Sequence, residues 1–323
     1  MSKVIVTGGC GFIGSNLVKV LVENGDEVLC LDNLSTGTKR FLESEIQSQI
    51  RFIEADLVLQ THEELLKLAK GVDKVYHLAA NADVRDGWMN PSRDITQNTF
   101  ATLKIAEIAR AAEVEEVVFT STGCVYGDSK VIPTPEEHPF PIQTSLYGSS
   151  KAAGEGILSS YVAQGAFKAT VFRFVSVLGQ NYHHGHVIDF VRKLRLNSNE
   201  LEILGNGKQR KSYIHVNDCV RALVSLRGVG SYEVFNIGSR DFIEVIDSAK
   251  IISDCMGISP SVKTGDQNRG WVGDNPFTYL DITKAESHGW SPRVNIENSI
   301  VETVKWLMSN EWVFSKLEKR YIE

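Results

Sequence analysis

The sequence predicts an α/β fold: a doubly wound parallel sheet with a smaller mixed α/β lobe in its C-terminal half. Three observations lead there. Short apolar runs alternate with amphipathic stretches as far as Ser176. A glycine-rich turn joins the first run to the first stretch, and beyond Ser176 the rhythm breaks. Alternating strands and helices build a parallel sheet covered on both faces, with its ligand at the C-terminal ends of the strands.

Val4-Ile5-Val6 is the first strand and leads into Thr7-Gly8-Gly9-Cys10-Gly11-Phe12-Ile13-Gly14. The next helix has an apolar face of Ile13, Leu17, Val20 and Leu21. Gly25 and Asp26 end it, and Val28-Leu29-Cys30-Leu31 is a second strand closing on Asp32. Glycines let a backbone approach a pyrophosphate, and a helix N-terminus offers N–H groups and a positive dipole end. Gly8, Gly11 and Gly14, with Phe12 and Ile13 opening the helix, are therefore expected to hold the phosphates of a dinucleotide. Asp32 should accept the adenosine ribose hydroxyls. Its charge would repel a 2′-phosphate, which favours NAD over NADP.

Ile50 to Asp56 and Lys74 to Ala80 read as strands three and four, with Glu63 to Ala69 helical between them. Ile95 to Ala112 carries helical periodicity, and Glu116-Val117-Val118-Phe119-Thr120 is a strand apolar enough to be buried on both faces. Asp56, Leu78, Ala79, Ala80, Asn98 and Thr120 fall on the predicted ligand edge. Ser145 is a plausible N-cap for a helix running to about Val162, and Ala169 to Phe174 is a sixth strand. Residues 1–176 are read as the dinucleotide-binding domain, with 212–240 and 296–310 returning to it. Residues 177–211 and 241–295 form the substrate lobe.

The most informative stretch runs from Thr120 to Lys151. It places Thr122 at a strand end and Tyr147 and Lys151 four apart on a helix, hence on one face. A phenol titrates near ~10 in isolation, and a cation beside it favours the phenolate. Tyr147 is thus a candidate base for a sugar hydroxyl, Lys151 its electrostatic partner and Thr122 a hydrogen-bonding hydroxyl.

Composition narrows the partners. The 323-residue chain carries a net charge of -6 and no basic block, which argues against nucleic acid and anionic membranes. There is no leader-like opening and no apolar run long enough to span a bilayer. Five cysteines without a CxxC pair fit a reducing, cytoplasmic setting. The loop His183-His184-Gly185-His186 lacks a carboxylate or cysteine at ligand spacing, so no metal is expected. His77 and His215 lie in strand-like segments and read as hydrogen-bonded core residues.

These motifs, with His77-Leu78-Ala79-Ala80, Arg173 to Gly179, Tyr213 to Asp218 and Phe235 to Gly238, carry a family likeness. The chain resembles the extended short-chain dehydrogenase/reductases of the Rossmann type. Within them it is similar to the nucleotide-sugar epimerases and dehydratases, above all the UDP-galactose 4-epimerase group. The resemblance implies an isomerase with tightly held NAD, acting on a UDP-hexose or UDP-hexuronic acid through a 4-keto intermediate. It also implies a homodimer joined by a four-helix bundle from the helices near 95–112 and 148–162. Asn33, Ser35 and Leu57 join the expected NAD contacts, and Ser121 is expected beside the reacting sugar.

Departures from the family pattern sharpen the reading. Dehydratases of the family have an Asp-Glu pair after the catalytic threonine, where this chain has Gly123 and Cys124. Ser176 replaces an asparagine and leaves room for a larger or charged C6 group. Lys211 stands where an arginine grips the diphosphate, with Arg210 as a possible substitute, and Arg269 with Asp274 resemble the family's phosphate and ribose pair. Cys124 and His186, next to Val187, also resemble the acid/base pair of C3/C5 epimerases and 4-keto reductases, which defines the rival activity. A non-catalytic NAD-binding protein is the remaining alternative.

Overall fold

The computed structural model describes residues 1–84, 86–139, 142–270 and 275–315. Its chain divides into two compact units, one of Met1–Phe174, Cys219–Ile237 and Asp281–Trp290, the other of Val175–Asp218, Gly238–Leu280 and the residues from Ser291 onward.

The first unit is built on seven strands: β1 (Lys3–Thr7), β2 (Glu27–Asp32), β3 (Arg51–Glu54), β4 (Lys74–His77), β5 (Glu116–Thr122), β6 (Lys168–Phe174) and β7 (Tyr232–Ile237). They lie in the order β7-β6-β5-β4-β1-β2-β3, and every neighbouring pair is parallel. The order reverses beside β1, where β2 and β4 lead the chain to opposite sides. Such a reversal opens a crevice at the strands' C-terminal ends. This is the doubly wound α/β fold expected.

Helices α1 (Phe12–Glu23), α2 (His62–Ala69), α3 (Ala101–Ala111) and α4 (Leu146–Ala163) belong to this unit. Ile5, Leu31, Val75, Val117, Phe119 and Val171 on one sheet face share a core with Leu65, Ile105, Ile108 and Leu158 of α2, α3 and α4. Their strand neighbours Val4, Val6, Cys30, Tyr76, Val118 and Phe172 are buried too. Side chains alternate across a strand, so burial of both sets requires cover on both faces. That is why these strands read as unbroken apolar runs.

Ser145 caps α4 as expected, its hydroxyl accepting from Gly148 N at 3.0 Å. The expected helix from Ile95 to Ala112 is different in form. A short helix, Pro91–Asp94, continues through a π-helical stretch, Ile95–Phe100, into α3. The wider turn inserts one residue into the ladder, which apolar periodicity averages over.

In the second unit, Glu200–Ile203 pairs in parallel with Ser261–Thr264, and Ser176–Leu178 with Tyr213–His215. Arg210–Lys211 lies between Ile243–Glu244 and Phe277–Thr278. The closing helix Ile296–Ser309 lies here and not in the larger unit. Its buried Ile300, Val304 and Leu307 face the helices Val245–Met256 and His186–Leu196. Conversely, Asp281–Trp290 joins the first unit, where Lys284 donates to the Val234 carbonyl and pairs with Glu233. Periodicity shows that a helix face is covered, not by which neighbour. Among the described residues no helix is long and apolar enough to cross a membrane.

Candidate active site

The glycine turn is built of two kinds of position. Gly8 has φ +70°, and a Cβ there would lie 2.8 Å from Ala79 N; one on Gly14 would lie 2.0 Å from Gly8 O. Both glycines are needed for the turn itself. A Cβ on Gly11 would meet only Gly8 O, at 3.1 Å, and α1 starts at Gly11 with no side chain capping it. The open side of the turn and the uncapped helix start fit a pyrophosphate.

At the end of β2, Asp32 accepts from Cys10 N at 2.9 Å and Leu34 N at 2.7 Å, so it also shapes the loop. Asn33 donates to Asp56 at 2.8 Å and accepts from the Ser35 hydroxyl at 2.7 Å. Burial pushes the Asp56 carboxyl up, but hydrogen bonds from Asn33 and from the Val58 and Leu59 amides outweigh it and hold it below its ordinary range. Leu57 is buried beside it. The amides of Leu78 and Ala79 donate to Thr7 Oγ1 at 3.2 Å each, pinning the segment that includes Ala80 next to Gly8.

Thr122 ends β5. Its Oγ1 accepts from Cys124 N at 3.1 Å, and the hydroxyl bears on the Tyr147 phenol, favouring the phenolate. Lys151, only 2% exposed, donates to the Thr120 carbonyl at 2.9 Å and lies 4.7 Å from the centre of the Phe119 ring. Burial pulls its pKa to about 7, against the raising charges of Glu155 and Asp94.

Tyr147 behaves differently from the expectation. Burial pushes the phenol above its ordinary value, the charge of Cys124 adds to that, the Thr122 hydroxyl opposes it, and Asp94 adds again. Lys151 is not among the groups that bear on it. In the free protein the phenol, half-buried and with the ammonium aimed at Thr120 O, therefore keeps its proton.

Asn98, in the π-helical stretch, is fully engaged. Its carbonyl accepts from Asn81 N at 2.8 Å, and its amide donates to Ser150 Oγ at 2.9 Å. It clamps the segment after β4 to α4. Thr120 donates to the His77 carbonyl. His77, flanked by Thr7 at 2.8 Å and Thr102 at 3.1 Å, is the core residue expected; burial and the Lys151 charge press its pKa to about 3. His215, bonded to Asn217 N and Glu302, is likewise a core residue.

Ser121 donates to Glu155, one helical turn beyond Lys151. Glu155 in turn accepts from Arg173 Nη2 at 2.6 Å and from Nε at 3.0 Å. Arg173 also donates to Tyr126 Oη at 2.7 Å, and Tyr126 to Asn236 at 2.8 Å. The sequence reading did not single out Glu155 or Asp94. Glu155 was findable, as the only carboxylate among the small residues Ala152, Ala153, Gly154 and Gly156 on the Tyr147–Lys151 stripe. Asp94 carries no such signal.

The expected substrate residues of the second unit are placed as follows. Lys211 donates to the Asn275 carbonyl. Arg210 lies 4.2 Å from the Phe277 ring centre and 5.5 Å from that of Phe242. Successive strand residues point to opposite sides, so Arg210 and Lys211 face apart. His186 bonds to Ser248 Oγ at 2.8 Å and stacks on Tyr213 with ring centres 5.0 Å apart. Burial, with the Lys211 charge, presses its pKa to about 4, so it is a neutral ring at physiological pH. Val187 is buried and Ser176 exposed. Arg269 passes its backbone close to Gly205. Asp274 lies outside the described residues.

Comparison with known proteins agrees with this geometry. The profile of the NAD dependent epimerase/dehydratase family matches residues 4–238. A putative UDP-glucose 4-epimerase of Methanocaldococcus jannaschii is 33% identical over 95% of this chain and 99% of its own. A crystal structure of UDP-galactose 4-epimerase superposes with a TM-score of 0.85 at 35% identity, covering 96% of this chain and 100% of the other. The Bacillus cereus UDP-glucuronic acid 4-epimerase, solved with UDP-glucuronic acid and NAD, gives 0.86 at 27% identity over 95% and 99% of the two chains.

Proposed function

The chain belongs to the NAD-dependent epimerase/dehydratase family, and from that premise we propose that it inverts C4 of a UDP-hexose or UDP-hexuronic acid. The observation that carries this reading is Thr122 at the end of β5, whose hydroxyl bears on the Tyr147 phenol and which is followed by Gly123 and Cys124. The pair supplies proton transfer at one hydroxyl, and the absence of carboxylates after Thr122 withholds the acid and base needed for dehydration. The relatives named above, UDP-sugar epimerases by name and one solved with UDP-glucuronic acid, support uracil as the base.

Gly8, Gly11, Gly14 and the start of α1 would hold the pyrophosphate of NAD, and Asp32 the adenosine ribose. Bound there, NAD would supply the hydride acceptor and donor for C4 and a positive charge at the site. The protein's part is to orient and to move one proton. The nicotinamide charge would favour release of the phenol proton to solvent; the Tyr147 phenolate would then take the proton of the C4 hydroxyl and return it to the 4-keto oxygen, with the Thr122 hydroxyl beside it. Lys151, fixed by Thr120 and Phe119, supplies charge at a dry site, where it acts more strongly than in water.

The second reading, C3/C5 epimerisation or 4-keto reduction, draws support from Cys124, whose charge bears on Tyr147. The neutral His186 ring weighs against it as an acid. Exposed Ile95 and Phe100, on the helices expected to form the bundle, support a homodimer. Free cysteines, five of them, support a cytoplasmic location.

The test is incubation with UDP-glucose, UDP-galactose, UDP-glucuronate and UDP-N-acetylglucosamine in deuterated water, with products read by NMR. C4 inversion without deuterium at C3 or C5, surviving Cys124→Ala, is expected. Deuterium at C3 or C5, lost in that variant, would replace this reading with the second.

A further inference from the structure

We propose that Glu155 is a positioning residue for Lys151, a buried carboxylate that keeps the ammonium charged and fixed where the reaction needs it. This deepens the epimerase reading and rests on it for its kinetic consequence.

Tyr147, Lys151 and Glu155 follow at four-residue spacing along α4 and so form one stripe. Glu155 is 6% exposed and has three engagements. It accepts from Ser121, it holds Arg173 through two nitrogens, and its carbonyl receives the Tyr232 hydroxyl. Ser121 stands between Thr120, whose carbonyl receives Lys151, and Thr122, which meets Tyr147. A single side chain thus ties α4 to the strand residues on either side of which the site is built. Removing it loosens both anchor points together.

The charges around Lys151 can be named element by element. Tyr147 and Glu155 come from α4, and Asp94 from the segment ahead of the π-helical stretch. His77 of β4 is neutral and contributes no opposing charge at physiological pH. β5 offers the Thr120 carbonyl and the Phe119 ring face. Arg173 of β6 faces Glu155 and attenuates its field, and Tyr126 and Tyr232 complete the surround. Of these, Glu155 is the largest influence favouring the charged form, against the desolvation of a fully enclosed ammonium.

A buried carboxylate one helical turn from a buried cation is worth about one pKa unit to it. Glu155→Gln should lower the Lys151 midpoint by about that much, while keeping the shape and the Ser121 contact. The pair borders a cavity of ≈ 230 Å³, also lined by Tyr126, His138 and Ser159, so water can reach Arg173 in the variant. Glu155→Asp retains the charge and should retain the midpoint. Arg173→Met removes the cation that screens Glu155 and should raise the midpoint.

Two readouts separate this role from plain packing. The first is the pH profile of kcat on the UDP-sugar turned over. In Glu155→Gln its alkaline limb should move about one unit toward acid, because Lys151 loses its proton sooner. The second is independent of substrate and cofactor turnover: an NMR titration of the lysine Cε resonances in ¹³C-lysine protein, with Lys151 assigned from Lys151→Met. A midpoint lowered in Glu155→Gln, unchanged in Glu155→Asp and raised in Arg173→Met supports the proposal. An unmoved midpoint in Glu155→Gln, or a fall in Arg173→Met, overturns it. Should no UDP-sugar react, the titration still decides the matter, so failure of the epimerase reading and failure of this one remain distinct.

Discussion

Lys151→Met should make the protein inactive and, near neutral pH, more stable. Burial lowers the Lys151 pKa from 10.5 to about 7, a shift of roughly 3.5 units, or about 5 kcal/mol at 1.36 kcal/mol per unit. The sign follows from proton linkage. Between pH 7 and 10.5 the unfolded chain carries the lysine proton and the folded one does not, so wild-type stability rises with pH across that window. Below pH 7 both states are charged and the full burden falls on the native state. At pH 9 about 1.5 units remain, roughly 2 kcal/mol. Methionine, neutral and of similar length, removes this burden. It forfeits the bond to Thr120 O, about 1–3 kcal/mol, and removes the Lys151 charge from the field of Glu155 and Asp94. The net gain should be about 2 kcal/mol at pH 6 and should shrink by about 3 kcal/mol, changing sign, by pH 9. Thermal melts of cofactor-stripped wild type and variant, taken at pH 6, 7, 8 and 9, measure the difference. A ligand bound only to the native state would add its own stability, hence the stripping. A variant that melts below wild type at pH 6, or a gap that stays constant with pH, refutes the reasoning.

Four further outcomes are expected. Thr122→Val removes the hydroxyl that accepts from Cys124 N and bears on Tyr147, and should cost about 10²-fold in kcat, whereas Thr122→Ser should recover most of it; steady-state kinetics decide. Gly11→Ala should fold with a melting temperature close to wild type, since its Cβ meets only Gly8 O, yet lose NAD, read by absorbance of the purified protein. Gly14→Ala, with a Cβ 2.0 Å from Gly8 O, should destabilise the turn itself. Acid stability should fall as pH drops from about 6.5 toward about 3, because the unfolded chain protonates His77 while the folded one resists. His77→Gln should flatten that limb of a melting-temperature profile.

The fold was legible wherever one physical signal had one meaning. Runs such as Val4 to Val6 and Val117 to Phe119 are apolar at every position, and only a strand covered on both faces requires that. The turn from Gly8 to Gly14 was legible for the same reason, since a Cβ on Gly8 or Gly14 collides with backbone. Signals with two meanings misled. The stripe Ile300, Val304, Leu307 demands a partner, but two units offered one. The periodicity from Ile95 to Ala112 survives a one-residue π insertion, which went unseen. At the site, residue types and spacing named Thr122, Tyr147 and Lys151. Their protonation was not readable, because the outcome depends on how much water each loses and which way the ammonium turns. Arg210 was a charge beside another charge in the sequence, and strand alternation sends it onto Phe277.

The wide turn at Ile95–Phe100 makes the chain's length there unforgiving. Each residue of a helix advances the direction of its side chains by about 100°. Excising one residue from this stretch would restore ordinary α-helical winding, at a gain in local regularity. It would also swing everything before it, Asp94 included, about that far around the axis relative to α3. Asn98 could not then reach Asn81 and Ser150 at once. Homologous chains that differ by a single gap at this point should thus differ in what stands over the catalytic helix, even where their local sequences agree.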